Sequence, residues 1–260
     1  MRGKLEKRNV LITGAARGVG RAIATRFVEE GANLLVCDLA TEALEKTASE
    51  LRQQGQKVIA CHVDVSDRES VQEMAQYTFR EFGHIDVLVN NAAICKVARF
   101  VDTSLAHFDQ VMKVNLYGVF HVTQAFLPNM IERRKGKIIN IASVSGKWAN
   151  KNQSAYNASK HAVIGLTRCI AVEVASHGVN VNAICPGAME TEMGDANFEE
   201  QAKMAGVSQE DFRNYFLSLI PLGRFTLPQE VAHLAVYLAS DESDGMVGQS
   251  ISLCGGRLMV

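Results

Sequence analysis

The sequence contains no long uninterrupted run of apolar residues. No window approaches the roughly 20 apolar residues of a membrane-spanning helix. The opening MRGKLEKRNV is charged where a signal peptide would have its apolar core. With a formal net charge of −1 and no basic stripe interleaved with aromatics, the chain also lacks the footprint of a nucleic-acid-binding protein. We therefore expect a cytoplasmic protein with neither a membrane nor a nucleic acid as its partner.

Cysteine is used sparingly and without a pairing pattern. The six cysteines include no CxxC pair and no spacing with histidine that is typical of metal ligands. Most of them stand in apolar runs such as LLVCD and NAICPG, where a reduced cysteine behaves as a small hydrophobe. We therefore predict no metal site.

What the chain does have is a regular alternation of short β-branched segments and helical patterns. Strands are predicted at 9–13, 33–38, 57–65, 85–92, 137–143, 179–187 and 249–253. Helices are predicted at 20–31, 41–54, 67–82, 104–112, 115–133, 154–176 and 228–239. Because the strands are apolar throughout, both faces of the sheet must be covered by helices. The sequence predicts a single α/β domain, 1–260, with a Rossmann-type doubly wound parallel sheet of about seven strands.

One segment departs from this alternation. Residues 188–226 form a long excursion between the sixth strand and the last helix. So long a departure within a compact domain is usually functional. We predict a substrate-binding loop or lid there.

A glycine-rich turn, TGAARGVG, joins the first strand to the first helix. Gly14, Gly18 and Gly20 allow the backbone to approach a ligand closely at a helix N-terminus, where free N–H groups bind phosphate. Asp38 ends the second strand, where a carboxylate can bind ribose hydroxyls and repel a 2′-phosphate. That favours NAD over NADP, although Arg17 in the glycine turn can itself contact a 2′-phosphate. We give Asp38 the greater weight.

Tyr156 and Lys160 stand one helical turn apart in SAYNASKHA. A nearby cation favours a phenolate, so the pair is a candidate general acid/base. Ser143 ends the fifth strand and therefore lies at the ligand-binding edge of a parallel sheet. Its hydroxyl can hold a substrate oxygen against the phenol. Asn115 is a fourth polar residue in an apolar context.

Six motifs, in order and at matching spacing, resemble the classical short-chain dehydrogenases/reductases. They are TGAARGVG, NNAA, KVN, IIN-IAS, YNASK and NAICPGAMET. The resemblance covers nearly the whole chain and departs from the common NNAG only at Ala93. A methyl group there narrows the space beside the nicotinamide and puts substrate size in doubt.

The resemblance implies a role for each matching residue. Tyr156 would be the acid/base, Lys160 would lower its pKa and bind the nicotinamide ribose, Ser143 would orient the substrate, and Asn115 would help hold a proton-relay water. The cofactor would be bound, besides Tyr156 and Lys160, by Gly14, Arg17, Gly18, Val19, Gly20, Asp38, Asp64, Val65, Asn90, Asn91, Ala92, Pro186, Gly187 and Thr191.

The substrate residues are less constrained by the resemblance. Besides Ser143 and Tyr156, we predict Ser145, Lys147 and Trp148. Further basic residues flank this region, namely Lys96, Arg99 and Lys151, which is compatible with an anionic substrate. Solvated loop charges and a packing role for Trp148 remain the alternative. The ending GQSISLCGGRLMV resembles family members acting on sugar alcohols.

We therefore expect an NAD-dependent oxidoreductase that interconverts a secondary alcohol and a ketone on a polyol, sugar or other small hydroxylated substrate. An NADPH-dependent 3-oxoacyl reductase is the alternative within the same class. A nucleotide-binding regulatory protein without activity is the alternative outside it, although the Ser–Tyr–Lys set is intact. Apolar residues around much of helices 111–127 and 155–174 favour a homotetramer, as the family implies.

Overall fold

Seven parallel strands form one sheet in the computed structural model, which describes residues 3–260. The strands are β1 (Asn9–Thr13), β2 (Asn33–Asp38), β3 (Val58–His62), β4 (Val87–Asn90), β5 (Gly136–Ile141), β6 (Val179–Pro186) and β7 (Ser250–Leu253). Their order across the sheet is β3-β2-β1-β4-β5-β6-β7. The order reverses between β1 and β4, and open α/β sheets bind ligands at the carboxyl edge beside such a reversal. The predicted doubly wound sheet is confirmed.

Helices cover both faces of the sheet. They are α1 (Gly18–Glu29), α2 (Thr41–Arg52), α3 (Arg68–Phe82), α4 (Leu105–Met112), α5 (Gly118–Arg133), α6 (Ser154–Val174), α7 (Glu192–Ala205), α8 (Gln209–Ser218) and α9 (Pro228–Ala239). A π-helix, Lys113–Tyr117, joins α4 to α5. In the part of the chain from residue 3 to residue 260, no helix is long and apolar enough to span a membrane.

Each face of the sheet has its own apolar core. Phe27 of α1 packs with β1, β2 and α9 on one face, and Phe126 of α5 packs with α3 and the opposite side of the strands on the other. Both phenylalanines are at most 1% exposed. Strands that meet apolar helices on both faces need apolar residues at every position, which is why their sequences do not alternate.

Two strands are shorter by four residues than the sequence predicts. β3 ends at His62, and β4 occupies only Val87–Asn90 of the predicted 85–92. The residues that follow these strands leave the ladder to form loops at the carboxyl edge. Asn91, for example, uses its side chain to bond to Thr13, the last residue of β1, and to Gly14 of the glycine turn.

The excursion at 188–226 is largely helical, forming α7 and α8. Thr191 caps α7 by accepting a hydrogen bond from the Gly194 N–H, and Ser208 caps α8 in the same way. The two helices enclose a small aromatic core in which the rings of Phe198 and Phe225 lie 5.2 Å apart. The excursion is therefore built around its own core and is not an irregular loop.

Candidate active site

The glycine turn after β1 is locked to the end of β4. The Asn91 side-chain amide donates to the carbonyls of Thr13 (3.0 Å) and Gly14 (2.8 Å). A Cβ on Gly20 would lie 2.0 Å from the Gly14 carbonyl oxygen, so only glycine fits at that position. Gly14 and Gly18 adopt φ angles of +65° and +54°, which glycine reaches without strain. The hydrogen bonds from Asn91, which follows β4, therefore hold the glycine turn in one conformation.

Asp38 connects the second strand to this turn. One carboxylate oxygen accepts a hydrogen bond from the Ala16 N–H at 3.0 Å, and the other accepts one from the Ala40 N–H at 3.0 Å. Arg17 points elsewhere, to an ion pair with Glu192 at the start of α7. Arg17, which the sequence offered as a competing contact for a 2′-phosphate, is therefore directed away from the Asp38 carboxylate at the end of β2.

The next loop along this edge carries Asp64 and Val65. The Asp64 carboxylate accepts two hydrogen bonds from Ser66, from its N–H at 2.9 Å and its hydroxyl at 2.7 Å. Val65 is buried against α5, because a Cβ on Gly118 would lie 2.8 Å from the Val65 Cγ2. The two residues form a fixed wall beside the ends of β2 and β3.

The segment after β6 faces the glycine turn from the other side. The Gly187 N–H donates to the Leu253 carbonyl at 2.9 Å, and Thr191 begins α7. A Cβ on Gly18 would meet Thr191 first, at 3.8 Å, so the turn next to Val19 is open. The open turn, the carboxylate of Asp38 and this facing segment fit a nicotinamide dinucleotide lying along the edge.

Ser143, Tyr156 and Lys160 meet at the end of β5. The Lys160 ammonium donates to the Ile141 carbonyl at 2.8 Å and lies 5.7 Å from the centre of the Tyr156 ring. Ser143 follows the strand, and its hydroxyl oxygen accepts a hydrogen bond from the Ser145 N–H at 3.0 Å. Lys160 is 3% exposed, and Ser143 is 9% exposed. The three residues that the sequence singled out therefore lie together at the end of β5.

Burial shifts the two ionisable groups of this trio in opposite directions. It raises the pKa of the Tyr156 phenol, the nearby Cys95 thiol adds to that rise, and the Ser143 hydroxyl opposes it. Burial also lowers the pKa of the Lys160 ammonium to about 8. Desolvation is the largest cause of the raised phenol pKa, and Lys160 is not among its causes, so the predicted lowering of that pKa by Lys160 stays a prediction.

Asn115 lies in the π-helix and is fully buried. Its side chain accepts from the Ile94 N–H (2.8 Å), donates to the Ile94 carbonyl (2.9 Å), and donates to the Ser159 hydroxyl (3.1 Å). These bonds hold the loop after β4 against the catalytic helix α6. The amide is therefore engaged by protein through three hydrogen bonds, of which its oxygen accepts one, and the predicted relay water stays a prediction.

Asn90 also points away from the carboxyl edge. Its amide nitrogen donates to Thr123 (3.0 Å) and to Asn140 (2.9 Å), its register partner on β5. The side chain is 3% exposed and belongs to a polar cross-link between sheet and helices. Its predicted contact with the cofactor ribose stays a prediction, whereas Ala92 lies at the edge, its N–H 3.2 Å from the Thr13 hydroxyl.

The predicted substrate residues separate into two groups. Trp148 is 56% exposed at the edge of the site. Ser145 is buried and accepts from Asn150 (2.8 Å), and the Lys147 ammonium binds the Ser250 carbonyl, the Ser252 hydroxyl and the Val260 carbonyl. Lys147 is thus bound to protein through its ammonium, whereas the Ser145 hydroxyl only accepts and keeps its proton as a donor.

The basic residues near the site differ in their partners. Arg99 is paired with Asp102 at 2.5 Å, and Lys96 bonds to the neutral side chain of Gln110. Lys151 is exposed, and it is its carbonyl oxygen, not its ammonium, that accepts from Gln201. Of these three residues only Arg99 is paired with an acidic side chain, so a basic substrate wall stays a prediction.

Three residues near Ser143, Tyr156 and Lys160 were not singled out from the sequence. The Cys95 sulfur accepts hydrogen bonds from the Asn197 amide (3.2 Å) and the Gln153 amide (3.5 Å). Gln153 stands three residues before Tyr156, a spacing that signals proximity, but nothing in the sequence places Asn197 of α7 beside them. Among residues 3–260, no group of three or more metal-binding side chains is present.

The geometry agrees with the comparisons to known proteins. Residues 14–257 match the family model described as Enoyl-(Acyl carrier protein) reductase. The 3-oxoacyl-[acyl-carrier-protein] reductase FabG of Thermotoga maritima is 41% identical over 98% of this chain and 100% of its own length. The chain belongs to the short-chain dehydrogenase/reductase family.

Solved structures show the same fold with different cofactors. An NAD⁺-bound xylitol dehydrogenase has a TM-score of 0.94 at 32% identity, over 97% of this chain and 100% of that one. A variant actinorhodin polyketide ketoreductase with NADPH has a TM-score of 0.93 at 34% identity, over 99% of both chains. This family member is therefore an oxidoreductase that uses a nicotinamide cofactor, and the likeness alone does not choose between NAD and NADP.

Proposed function

We propose that the protein is an NAD(H)-dependent oxidoreductase of the cytoplasm that interconverts a secondary alcohol and a ketone on a small hydroxylated substrate such as a polyol or sugar. The observation that carries the proposal is the trio at the end of β5, with the Lys160 ammonium 5.7 Å from the Tyr156 ring and Ser143 beside the phenol. A regulatory protein without activity would have no need to bury these two ionisable groups together.

Each member of the trio has a distinct task in this proposal. The Ser143 hydroxyl binds the substrate oxygen and orients the reacting carbon. The Tyr156 phenol transfers a proton to that oxygen during reduction and removes one during oxidation. Lys160, fixed by the Ile141 carbonyl, holds positive charge beneath the phenol and binds the nicotinamide ribose. The nicotinamide supplies or accepts the hydride when it is bound.

Asn115 supports the site through the backbone. By holding both polar groups of Ile94, it fixes the loop that passes between the glycine turn and α6. The fixed loop in turn keeps the substrate-facing residues at a constant distance from Tyr156. We propose that Asn115 is a positioning residue that, through this loop, helps hold the water that relays protons.

The preference for NAD rests on Asp38. Its carboxylate stands at the end of β2 and is held by the N–H groups of Ala16 and Ala40. A 2′-phosphate placed there would meet a like charge, while ribose hydroxyls would find an acceptor. Arg17 is paired with Glu192, so it offers little compensation to a phosphate.

We further propose that 188–226 closes over the substrate. α7 begins at Thr191, opposite the glycine turn, and its Asn197 reaches Cys95 beside the catalytic trio. A segment with its own aromatic core can move as a unit while keeping its helices intact.

The experiment is a spectrophotometric screen at 340 nm. It pairs NAD and NADP with polyols, sugars, sugar phosphates, hydroxy acids and simple secondary alcohols, with Tyr156→Phe as the control. We expect turnover with NAD on a small hydroxylated substrate that the control abolishes. Turnover confined to 3-oxoacyl thioesters and NADPH would overturn the proposal.

That outcome defines the second candidate, an NADPH-dependent 3-oxoacyl reductase. The observation in its favour is the 41% identity to the Thermotoga maritima enzyme along its whole length. Asp38 is the observation against it. Comparing kcat/KM for NADH and NADPH with one ketone substrate separates the two candidates.

A further inference from the structure

Two side-chain amides converge on one sulfur atom beside the catalytic trio. Asn197 of α7 and Gln153, which immediately precedes α6, each donate a hydrogen bond to Cys95 Sγ, at 3.2 and 3.5 Å. The three residues come from three separate segments of the chain. They will be called the amide cluster.

The amide cluster lies beside the reacting groups. Gln153 is the residue immediately before α6, and Tyr156 stands in the first turn of that helix, three residues further on. Cys95 follows Ile94, whose backbone Asn115 holds against α6, and Ala98 donates to the Asn152 carbonyl at 2.8 Å. The Cys95 thiol is near enough to the phenol to contribute to its raised pKa.

The hydrogen bonds within the cluster are weak ones. Burial raises the pKa of the Cys95 thiol to about 11, so the sulfur is neutral at physiological pH, and a neutral thiol is a poor acceptor. Across residues 3–260, neither amide oxygen of the cluster has a hydrogen-bond donor. The side-chain amides of Asn197 and Gln153 thus hold two strong donors and two strong acceptors beside the active site without a strong hydrogen-bond partner.

The cluster carries no formal charge of its own. Of the basic residues that flank the site in the sequence, Arg99 is paired with Asp102, Lys147 is bound by the Ser250 carbonyl and the Ser252 hydroxyl, and Lys96 bonds to the neutral Gln110. The groups that the cluster itself offers are neutral, and an uncharged hydroxyl or carbonyl finds both a donor and an acceptor in each amide.

We propose, building on the proposed function, that Asn197 and Gln153 are specificity-determining residues that bind a second oxygen of the substrate, on the carbon next to the reacting carbon. The substrate class is then an uncharged vicinal diol or the corresponding α-hydroxyketone. On binding, the substrate oxygen replaces the thiol as partner of the amides. With a substrate that lacks this oxygen, the two amides keep only the Cys95 sulfur as a hydrogen-bond partner.

The test compares butane-2,3-diol with butan-2-ol, which differ only in the second oxygen. The kcat/KM ratio of diol to alcohol is measured at saturating NAD for wild type and for Asn197→Leu and Gln153→Met, which retain side-chain bulk without the amide. We expect the wild-type kcat/KM to be roughly tenfold or more higher for the diol than for the alcohol. The alcohol leaves the amides of the cluster without a substrate partner, which is costly for buried polar groups. Each variant should lose most of that preference while retaining turnover of butan-2-ol.

Gln201→Met is the matched control. Gln201 also lies on α7, but its amide ties that helix to Asn152 and to the Lys151 carbonyl. If the cluster only fastened α7 to the body of the protein, this control would alter the ratio as strongly as Asn197→Leu. We expect the ratio to stay within about twofold of wild type.

A binding measurement makes the result independent of turnover. NADH fluorescence reports the Kd of the diol and of the alcohol in the dead-end complex with enzyme and NADH, for the same variants. Equal affinity of wild type for both ligands, or an unchanged ratio in both cluster variants, would overturn this proposal and leave the alcohol–ketone function intact. Failure of the proposed function would be seen separately, as no NAD-linked turnover of any secondary alcohol in the screen.

Discussion

The Lys160 ammonium lies 5.7 Å from the centre of the Tyr156 ring and donates a 2.8 Å hydrogen bond to the Ile141 carbonyl at the end of β5. The helical turn between the two residues places the cation beneath the phenol, and the strand fixes it there. The same burial that raises the pKa of the phenol lowers that of the ammonium to about 8. The pKa of each group therefore depends on the charge of a ligand bound next to it.

Removing the phenol oxygen should abolish the chemistry without removing the ligand sites. Tyr156→Phe is expected to lower kcat by roughly 10²–10⁴-fold, the usual contribution of a positioned acid/base. Because the ring remains, the Kd for NADH, measured by fluorescence titration, should change by less than about threefold. Tyr237→Phe on α9, outside the site, is the control and should retain wild-type kcat. A Tyr156→Phe enzyme with more than a tenth of wild-type activity would assign the proton transfer to another group.

The lowered pKa of Lys160 predicts a pH-dependent stability difference. The folded-state pKa is about 8, and the ordinary value is 10.5, so between these values the unfolded chain binds the proton more tightly than the folded protein does. The free energy of unfolding of wild type should therefore rise relative to that of Lys160→Met as the pH increases through this window, by up to about 3 kcal/mol.

Urea titrations of both proteins at intervals from pH 7 to 9.5 test this expectation. Other groups that titrate in this range are common to both proteins and cancel in the difference. Lys137→Met is the control, because that buried lysine is paired with Asp244 at 2.6 Å. A difference between wild type and Lys160→Met that stays constant with pH would show that Lys160 keeps its ordinary pKa in the folded protein.

The sequence predicts the parts of this molecule whose pattern is local. Each strand, the glycine turn and the Tyr156–Lys160 pair can be derived from neighbouring residues and helical spacing. The contacts of Lys147 and Arg99 could not be derived, because charge in a loop does not indicate which partner the fold brings to it. The amide cluster could not be predicted for the same reason, because Cys95 and Asn197 are about a hundred residues apart in the chain. The helices of 188–226 did carry a signal, because Thr191 and Ser208 are typical N-caps.

The glycine turn should not tolerate a single methyl group at its tightest point. In Gly20→Ala, the new Cβ would lie 2.0 Å from the Gly14 carbonyl oxygen and 2.6 Å from the Asn91 amide nitrogen. The turn must then shift, so we expect at least a tenfold rise in the Kd for NADH together with a loss of thermal stability. Gly245→Ala is the control, because nothing lies within 4 Å of its Cβ, and it should match wild type in both measurements. Unchanged cofactor binding in Gly20→Ala would show that the turn is not the phosphate site.

The apolar surface of α5 and α6 predicts self-association. Val172 is 81% exposed on α6, and Phe120 is 43% exposed on α5. We expect wild type to be a homotetramer by light scattering coupled to size exclusion, and Val172→Glu to shift it to smaller species by placing a charge in the contact. Val207→Glu, which changes an exposed valine between α7 and α8, should leave the assembly intact. Monomeric wild type at working concentration would contradict the prediction.

Asp38 should decide between the two nicotinamide cofactors. Its carboxylate holds the Ala16 and Ala40 N–H groups at 3.0 Å each, and Asn keeps an acceptor and nearly the same shape without the charge. We therefore expect Asp38→Asn to raise the NADP-to-NAD ratio of kcat/KM by roughly tenfold or more, mainly by relieving repulsion of the 2′-phosphate. Asp67→Asn is the control, because Asp67 caps α3 by accepting from the Glu69 N–H and lies outside the site. Wild type that already favours NADP, with an NADP-to-NAD ratio of kcat/KM that Asp38→Asn does not change, would instead support the 3-oxoacyl reductase. In that case Arg17 would have to leave Glu192 to bind the 2′-phosphate.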